Sequence, residues 1–341
     1  MPEHLLRQFL LRLSRREDLN HGEAQELLEA LLEEHSTDAQ IAGILVALAA
    51  KGETAEELAG MASALRRRAV RVAAQHSRFI DTAGTGSSSA KTFNISTAAA
   101  FVIAGAGLPV AKHGNRAASS RSGSADVLTA LGVNISALPS LSERCLNEIG
   151  ICFMFAPLYH GATARVASIR RELGIHTTFN LLGPLSNPAG APRQIVGVWR
   201  YDLVGRLASV LSLLGTEHAW VVHGADGLDE LTLAEKTFVA EARNGAVRTF
   251  ETGPEEFGLI RSSIEFLRGG DVERNSNIIR EVLAGERRDE ARGLVVINAA
   301  AALFVGGLAT SLQEAARRAE TSIDNGAAMT KLEQLVTMTN R

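Results

Sequence analysis

Cysteine, net charge and long apolar runs are all scarce in this sequence of 341 residues, and each scarcity excludes a class of protein. Only two cysteines occur, Cys145 and Cys152, both among apolar residues and without the spacing of metal ligands. We therefore expect two buried, reduced thiols. This use of cysteine fits a reducing compartment such as the cytoplasm.

The formal net charge is −3, so the sequence lacks the excess of positive charge that attracts nucleic acid or a membrane surface. The first residues alternate leucine with charge, and they lack the charged, apolar and small segments of a signal peptide. No uncharged apolar run reaches the length that spans a bilayer. These absences predict a cytoplasmic protein with neither a nucleic-acid partner nor a membrane partner.

The length of the chain favours one small and one large domain over a single domain. Within residues 1–70, two capping signatures mark helix starts, Asn20 with Glu23 and Thr54 with Glu57. Leucines between these signatures fall on one helical face. We predict a small helical domain over residues 1–70.

From about Phe79 onward, short apolar strands alternate with helices, which predicts a mainly parallel sheet covered by helices over a domain of residues 76–335. The predicted strands are RFID, LPVAKHG, ICFMFAP, RQIVGVW and HAWVVHG. Ligands bind at the carboxyl ends of the strands in such sheets. The polar segments TAGTGSSS, KHGNR, APLYH and HGADGLDE all fall at strand ends, so we expect them to converge at one edge of the sheet.

The first of these segments has the features of an anion site. Gly84 and Gly86 allow close approach of the backbone, while Asn94, Ser96 and Thr97 offer side-chain donors where a helix begins. The spacing matches neither a Walker loop nor a dinucleotide fingerprint. Taken alone, the Gly-Thr-Gly turn favours an ordinary tight turn over a phosphate site.

The second segment, KHGNRAASSRSGSAD, strengthens the case for phosphate because it places a second anion site one strand away from the first. It ends at the start of a new helix, and two phosphate-bearing groups would fill the two sites. Its polar residues are Lys112, His113, Asn115, Arg116, Ser119, Ser120, Arg121, Ser122 and Ser124.

Five groups of motifs resemble the anthranilate phosphoribosyltransferase family, in the right order and spacing over nearly the whole chain. They are GTG followed by NIST, KHGNR followed by SGSAD, FNLLGPLSNP, GLDEL and NAAAALFVGG. The resemblance implies an α/β protein with a small N-terminal helical domain and a large α/β domain, similar to the nucleoside phosphorylase and phosphoribosyltransferase fold. The active site is then expected in the cleft between the domains.

The resemblance also implies a reaction. The amine of anthranilate attacks C1 of 5-phosphoribosyl-1-pyrophosphate, here called the phosphoribosyl donor, to give N-(5-phosphoribosyl)anthranilate and pyrophosphate in tryptophan biosynthesis. Mg²⁺ on the leaving group is the implied cofactor. A homodimer formed through the helical domain is implied as well.

The resemblance assigns roles to particular residues. The implied anthranilate-binding residues are Gly84, Asn115 and Arg170, and the implied metal ligands are Ser96, Asp229 and Glu230. The implied donor-binding residues are Gly84, Ser87, Ser88, Thr92, Asn94, Ile95, Ser96, Thr97, Lys112, His113, Gly114, Asn115, Arg116, Ala117, Ala118, Ser119, Ser120 and Ser124.

Elementary chemistry supports these roles unequally. Adjacent carboxylates with a serine oxygen suit Mg²⁺, although an isolated Asp-Glu pair is more often a solvated turn. Arg170 can pair with a carboxylate through two parallel N–H groups, and Arg165 is the alternative for that role. His113 and His160 are expected to form hydrogen bonds rather than to act as general bases. No general acid or base is assigned, because the neutral aromatic amine needs positioning and leaving-group stabilisation more than activation.

The sequence departs from the family pattern at two places. Ser87 and Ser88 stand where Gly-Asp is common, so a usual acidic residue near the metal and pyrophosphate is absent. Gly161 and Thr163 replace bulkier residues near the expected entrance for anthranilate.

Two other functions are compatible with parts of the sequence. A nucleoside phosphorylase shares the architecture but is not expected to carry KHGNR with Asn115. A related protein that binds nucleic acid would have a strongly basic cleft and eroded NIST or Asp-Glu motifs. This chain is slightly acidic and keeps both motifs.

Overall fold

The computed structural model describes residues 2–86, 92–117, 122–264, 267 and 269–341. The chain begins with four helices, α1 (Pro2–Ser14), α2 (His21–Leu31), α3 (Asp38–Lys51) and α4 (Ala55–Arg68). Both predicted capping boxes are present, because the side chains of Asn20 and Thr54 accept hydrogen bonds from the backbone N–H groups of Glu23 and Glu57. These caps set the starts of α2 and α4.

The described residues form one seven-stranded sheet with the order β3-β2-β1-β4-β5-β6-β7. The five strands from β3 to β5 are parallel, as predicted, whereas β6 and β7 add to the edge as an antiparallel pair that the sequence analysis did not find. The strands are β1 (Ile80–Asp81), β2 (Val110–Gly114), β3 (Ile151–Phe155), β4 (Arg193–Gly197), β5 (His218–Gly224), β6 (Thr237–Arg243) and β7 (Ala246–Thr252).

Helices cover both faces of this sheet. They are α5 (Ile95–Gly105), α6 (Ser124–Ala130), α7 (Pro139–Ile149), α8 (Ala156–Tyr159), α9 (Ala164–Leu173), α10 (Thr178–Leu185), α11 (Asp202–Leu213), α12 (Val272–Leu283), α13 (Glu290–Val305), α14 (Leu312–Asp324) and α15 (Ala327–Thr339). No helix among the described residues is both long and apolar enough to cross a membrane.

Two hydrophobic cores lie on opposite faces of the sheet because alternate side chains of a strand point in opposite directions. On β5, Trp220 belongs to the core beneath α5, α13, α14 and α15, while its neighbour Val221 belongs to the other core. That second core joins α1–α4 to α9, α10 and α11. The N-terminal helices are therefore packed continuously against the rest of the protein.

The two cysteines are free and buried, as predicted. Burial raises the pKa of Cys145 to about 11 and also raises that of Cys152. Both side chains are consequently protonated thiols at neutral pH, and they act as small apolar groups in the core.

Candidate active site

A cleft of about 740 Å³ opens at the carboxyl ends of the parallel strands. Residues from all four of the predicted polar segments line it, so these segments converge as expected. The residues that line the cleft and bear on its chemistry include Gly84, Asn94, Ser96, Lys112, Asn115, Ala156, Arg170, Asp229 and Glu230.

The first polar segment passes tightly over the end of β4. The backbone N–H of Thr85 donates to the carbonyl of Gly197 at 2.8 Å, and a Cβ on Gly84 would lie only 3.2 Å from the same oxygen. Asn94 precedes α5, but its side chain does not cap the helix; it exchanges hydrogen bonds with Ser122 at 3.1 and 3.2 Å. Asn94 therefore joins the first polar segment to the second.

Lys112 lies between the same two segments and is almost completely buried. Its Nζ donates to the carbonyl oxygen of Thr82 at 3.2 Å and to the hydroxyl at 3.1 Å, and it lies 3.5 Å from Oγ of Ser96. Burial lowers the pKa of Lys112, and the nearby carboxylates of Asp81 and Glu230 act in the opposite direction. The lysine thus places its amino group at the floor of the cleft.

The predicted Asp-Glu pair forms a turn beyond β5, facing the start of α5. Oε1 of Glu230 accepts a hydrogen bond from the backbone N–H of Ser96 at 2.9 Å. Burial and the neighbouring charge of Asp229 raise the pKa of Glu230. The three proposed metal ligands are therefore adjacent in space, although they come from positions more than 130 residues apart in the chain.

A buried asparagine that was not predicted from the sequence holds this turn. Asn298, the first residue of the motif NAAAALFVGG, accepts from the N–H of Leu231 at 3.0 Å and donates to its carbonyl at 2.9 Å. Leu231 directly follows Glu230, so α13 fixes the backbone of the carboxylate turn. The available signal was a single amide side chain at the head of an otherwise apolar helical segment.

The two candidate arginines of α9 have different surroundings. Arg170 reaches the cleft, where its Nη2 donates to Oδ1 of Asn180 at 3.0 Å and its guanidinium lies 5.7 Å from the ring centre of Phe179. Its Nε is buried without a partner in the described part of the chain. Arg165 instead pairs with Asp38 of α3 at 2.6 Å. The structure brings Arg170, not Arg165, to the cleft.

His113 and His160 form a buried pair with ring centres 5.2 Å apart. Nδ1 of His113 lies 3.1 Å from the carbonyl oxygen of Gly183. Burial, reinforced by the neighbouring His160, lowers the pKa of His113 to about 3, and burial lowers that of His160 to about 4. Both rings are therefore neutral at pH 7, and neither is a strong base.

The chain is similar to known proteins over nearly its whole length. Residues 76–329 match the family model described as "Glycosyl transferase family, a/b domain", and residues 7–69 match "Glycosyl transferase family, helical bundle domain". An anthranilate phosphoribosyltransferase of Moorella thermoacetica is 50% identical over 318 residues, which are 93% of this chain and 94% of that protein. One of Rubrobacter xylanophilus is 48% identical over 337 residues, 99% of this chain and 98% of that protein.

The chain belongs to the anthranilate phosphoribosyltransferase family. A solved family member from Thermus thermophilus is 39% identical, with a TM-score of 0.92 over 98% of this chain and 99% of that one. A family member from Saccharomyces cerevisiae, solved in complex with PRPP and Mg, is 27% identical, with a TM-score of 0.90 over 99% of this chain and 98% of that one. The predicted family and fold class are confirmed.

The residues assigned from the family resemblance fall into three groups in the structure. Asp229, Glu230 and Arg170 line the cleft, as do the donor-binding candidates Gly84, Thr92, Asn94, Ser96, Thr97, Lys112, His113, Gly114, Asn115, Arg116, Ala117 and Ser124. The side chain of Ile95 is buried in the core beneath α5, so any contact with a ligand must come from its backbone. Ser87, Ser88, Ala118, Ser119 and Ser120 lie outside the described residues.

Proposed function

We propose that this protein transfers the phosphoribosyl group of 5-phosphoribosyl-1-pyrophosphate to the amine of anthranilate, giving N-(5-phosphoribosyl)anthranilate and pyrophosphate in tryptophan biosynthesis. The observation that carries the proposal is one cleft lined by the two polar segments, a carboxylate turn and a largely buried arginine. The names of relatives about 50% identical over nearly the whole chain support it.

The donor is assigned to the side of the cleft formed by the first two polar segments. Lys112 supplies a buried amino group there. Ser96 places its hydroxyl group at the start of α5. Asn94 holds the two segments together. These groups face the phosphates of the donor in the proposal, and the N-terminal end of α5 adds a favourable field for negative charge.

The carboxylate turn fits a magnesium site. Asp229 and Glu230 provide hard oxygen ligands beside Ser96, and Mg²⁺ usually binds proteins through one or two carboxylates together with substrate phosphates. The raised pKa of Glu230 shows that the buried turn disfavours its own negative charge, which a cation would offset. Magnesium, when bound, neutralises charge on the leaving pyrophosphate.

Anthranilate is assigned to the side of the cleft that holds Arg170 and Asn115. The buried guanidinium has an unpartnered Nε among the described residues and would pair with the carboxylate of anthranilate. In the reaction the C1–O bond to pyrophosphate breaks, the C1–N bond forms, and the amine loses one proton. Because the amine is already neutral at pH 7, catalysis rests on positioning and electrostatics.

A homodimer formed through the helical domain is part of the proposal. Leu11 of α1 and Val46 of α3 are large apolar side chains with exposed fractions of 52% and 42%, and their two helices are packed together. Exposed apolar residues on adjacent helices suit an interface. The free, buried thiols of Cys145 and Cys152 support a location in the reducing cytoplasm.

The experiment that tests the reaction follows the fluorescence of anthranilate after addition of the donor and MgCl₂. We expect the fluorescence to fall in proportion to the amount of enzyme, and omission of MgCl₂ to slow the loss. No turnover, alongside phosphorolysis of a nucleoside or tight binding of DNA, would contradict the proposal in favour of one of the two other functions.

A further inference from the structure

Asp126, the last residue of the motif KHGNRAASSRSGSAD, connects two stretches of the second polar segment, residues 115–117 and 122–124. Its Oδ2 accepts hydrogen bonds from the backbone N–H groups of Ala117 at 3.0 Å and Gly123 at 2.9 Å. Its Oδ1 accepts from Nη1 of Arg116 at 2.9 Å. One carboxylate group therefore joins the backbone at Ala117 to the backbone at Gly123.

The two stretches are in direct contact around this carboxylate. The hydroxyl of Ser124 and the N–H of Ala125 both donate to the carbonyl of Asn115 at 3.2 Å. A Cβ on Gly123 would lie only 2.3 Å from the backbone nitrogen of Ala117, so a larger residue does not fit there without a shift of the backbone. The geometry leaves little freedom in how Asn115 and Ser124 face the cleft.

A carboxylate is an unexpected group beside a site for a polyanion, because like charges repel. Burial tends to raise the pKa of Asp126, but the hydrogen bonds from Ala117, Gly123 and Arg116 outweigh it and lower the pKa. Asp126 is consequently ionised at pH 7. Its negative charge is directed at backbone N–H groups and at an arginine.

We infer that Asp126 is a positioning residue that preorganises residues 115–117 and 122–124 of the second polar segment for the phosphates of the donor. The inference rests on the proposed function, since it takes the donor as the ligand of this segment. The carboxylate holds Arg116 and the backbone of Ala117 and Gly123 in place before the donor arrives. Less conformational freedom is then lost on binding.

A positioning role and simple charge repulsion predict opposite changes in the Michaelis constant for the donor when Asp126 is replaced by Asn. If Asp126 only repelled the donor, Asp126→Asn would lower the Michaelis constant for the donor. If it positions the segment, the same change places an amide donor where at least one N–H group needs an acceptor. The Michaelis constant for the donor then rises.

The test measures both Michaelis constants and the turnover number at saturating MgCl₂ for the wild type, Asp126→Asn and Asp126→Glu. We expect Asp126→Asn to raise the Michaelis constant for the donor by about ten-fold, the size expected for losing one charge-assisted hydrogen bond. The constant for anthranilate should change by less than about two-fold. Asp126→Glu keeps the charge but moves it by one methylene group, so it should also weaken use of the donor.

Asp324→Asn is the matched control, because Asp324 accepts hydrogen bonds from Arg288 and Arg292 at 2.8 and 2.9 Å but does not line the cleft. It should lower the melting temperature and leave both Michaelis constants unchanged.

Hydrogen exchange of the protein without substrates gives a second readout that does not depend on activity. The amide protons of Ala117 and Gly123 should exchange faster in Asp126→Asn than in the wild type. An unchanged or lower Michaelis constant for the donor, or unchanged exchange, in a folded Asp126→Asn protein would overturn the inference. If the wild type itself does not use the donor, the proposed function fails instead, and the exchange result still decides whether Asp126 holds the segment.

Discussion

Two glutamates, Glu241 on β6 and Glu230 in the turn beyond β5, have opposite electrostatic environments. Glu241, on the antiparallel strand β6, accepts hydrogen bonds from Trp220 at 3.0 Å and from Arg248, and lies 2.8 Å from Nε2 of His218. Burial alone would raise its pKa, but these three partners outweigh burial and lower the pKa to about 2. Glu230, at the cleft, has a raised pKa because burial and Asp229 outweigh the hydrogen bond from Ser96.

The difference separates a structural cluster from a binding site. The cluster around Glu241 supplies positive and donor groups within the protein, so its charge stabilises the fold without a ligand. The cleft disfavours the charge of Glu230, and burial likewise lowers the pKa of Lys112. Perturbed groups of this kind collect where a ligand completes the electrostatic environment.

The largest expected effect is that of Glu230→Gln, which removes a proposed metal ligand and preserves the size of the side chain. We expect the magnesium concentration for half-maximal activity to rise by about ten-fold or more, equivalent to about 1.4 kcal/mol or more. The melting temperature without magnesium should be unchanged or higher, because a buried carboxylate beside Asp229 has been removed. A magnesium titration together with a melting curve measures both.

Glu241→Gln is the control for this experiment, since it makes the same change at a buried glutamate outside the cleft. Its magnesium titration should match that of the wild type. A shift of equal size in both variants would mean that the contrast between the two glutamates has no functional meaning.

An effect of comparable size is expected for Arg170→Ala on the use of anthranilate. A charge-assisted hydrogen bond contributes about 1.5–3 kcal/mol, so the Michaelis constant for anthranilate should rise by about one to two powers of ten. The constant for the donor should barely change, because the proposed contact is with anthranilate alone. Since the carboxylate is remote from the bond that breaks, the contact is the same in the ground and transition states, and the turnover number should change little. Steady-state kinetics with each substrate varied in turn measures this, and normal anthranilate kinetics in the folded variant would remove Arg170 from the site.

The sequence was sufficient to predict the parallel part of the sheet. In this region each strand is a short apolar run that ends in a polar turn, and β1 to β4 are each followed by a helix, so the period of the pattern changes at these boundaries. The predicted segments LPVAKHG, ICFMFAP, RQIVGVW and HAWVVHG contain β2 to β5.

The antiparallel strands were not predicted, for a physical reason. β7 (Ala246–Thr252) is an edge strand with mostly exposed residues, so it lacks a buried face that would mark it in the sequence. On β6 the inward-facing Glu241 interrupts the apolar pattern, and only the contacts from Trp220 and Arg248 show why a charge is tolerated there. Such partners are brought together by the tertiary fold.

Within the candidate site, the motifs predicted which segments line the cleft and favoured Arg170, but they left Arg165 as an alternative. Both arginines are on α9, and their different roles depend on Asp38 of the helical domain and Asn180 of α10. The role of Asn298 was likewise hidden, because it acts on the backbone of Leu231, 67 residues away in the chain. Long-range contacts of this kind have no local signature.

A smaller effect is expected for the stability of Glu241→Gln. Loss of the charged acceptor for Trp220 and Arg248 should destabilise the fold by about 1–3 kcal/mol, which lowers the melting temperature by a few degrees. The folded pKa of about 2 lies below the ordinary value of 4.5, so the ionised group stabilises the fold above pH 4.5. That contribution is lost as the pH falls from 4.5 towards 2. Melting curves over this range should therefore show the wild type approaching the variant, and a constant difference would contradict the assignment.

The smallest effect is expected for Arg165→Ala. This variant completes the comparison between charged groups that already have a partner within the protein and those that do not. Arg165 already has a partner in Asp38, and the side chains of this pair are 44% and 71% exposed. Exposed ion pairs contribute about 0–1 kcal/mol, so the melting temperature should fall by no more than a few degrees. Both Michaelis constants should stay within about two-fold of the wild type, because the arginine does not line the cleft. If Arg165→Ala weakened anthranilate use as much as Arg170→Ala, the carboxylate site would have to include the junction between α3 and α9, and a buried, unpartnered Nε would no longer identify the arginine that binds the substrate.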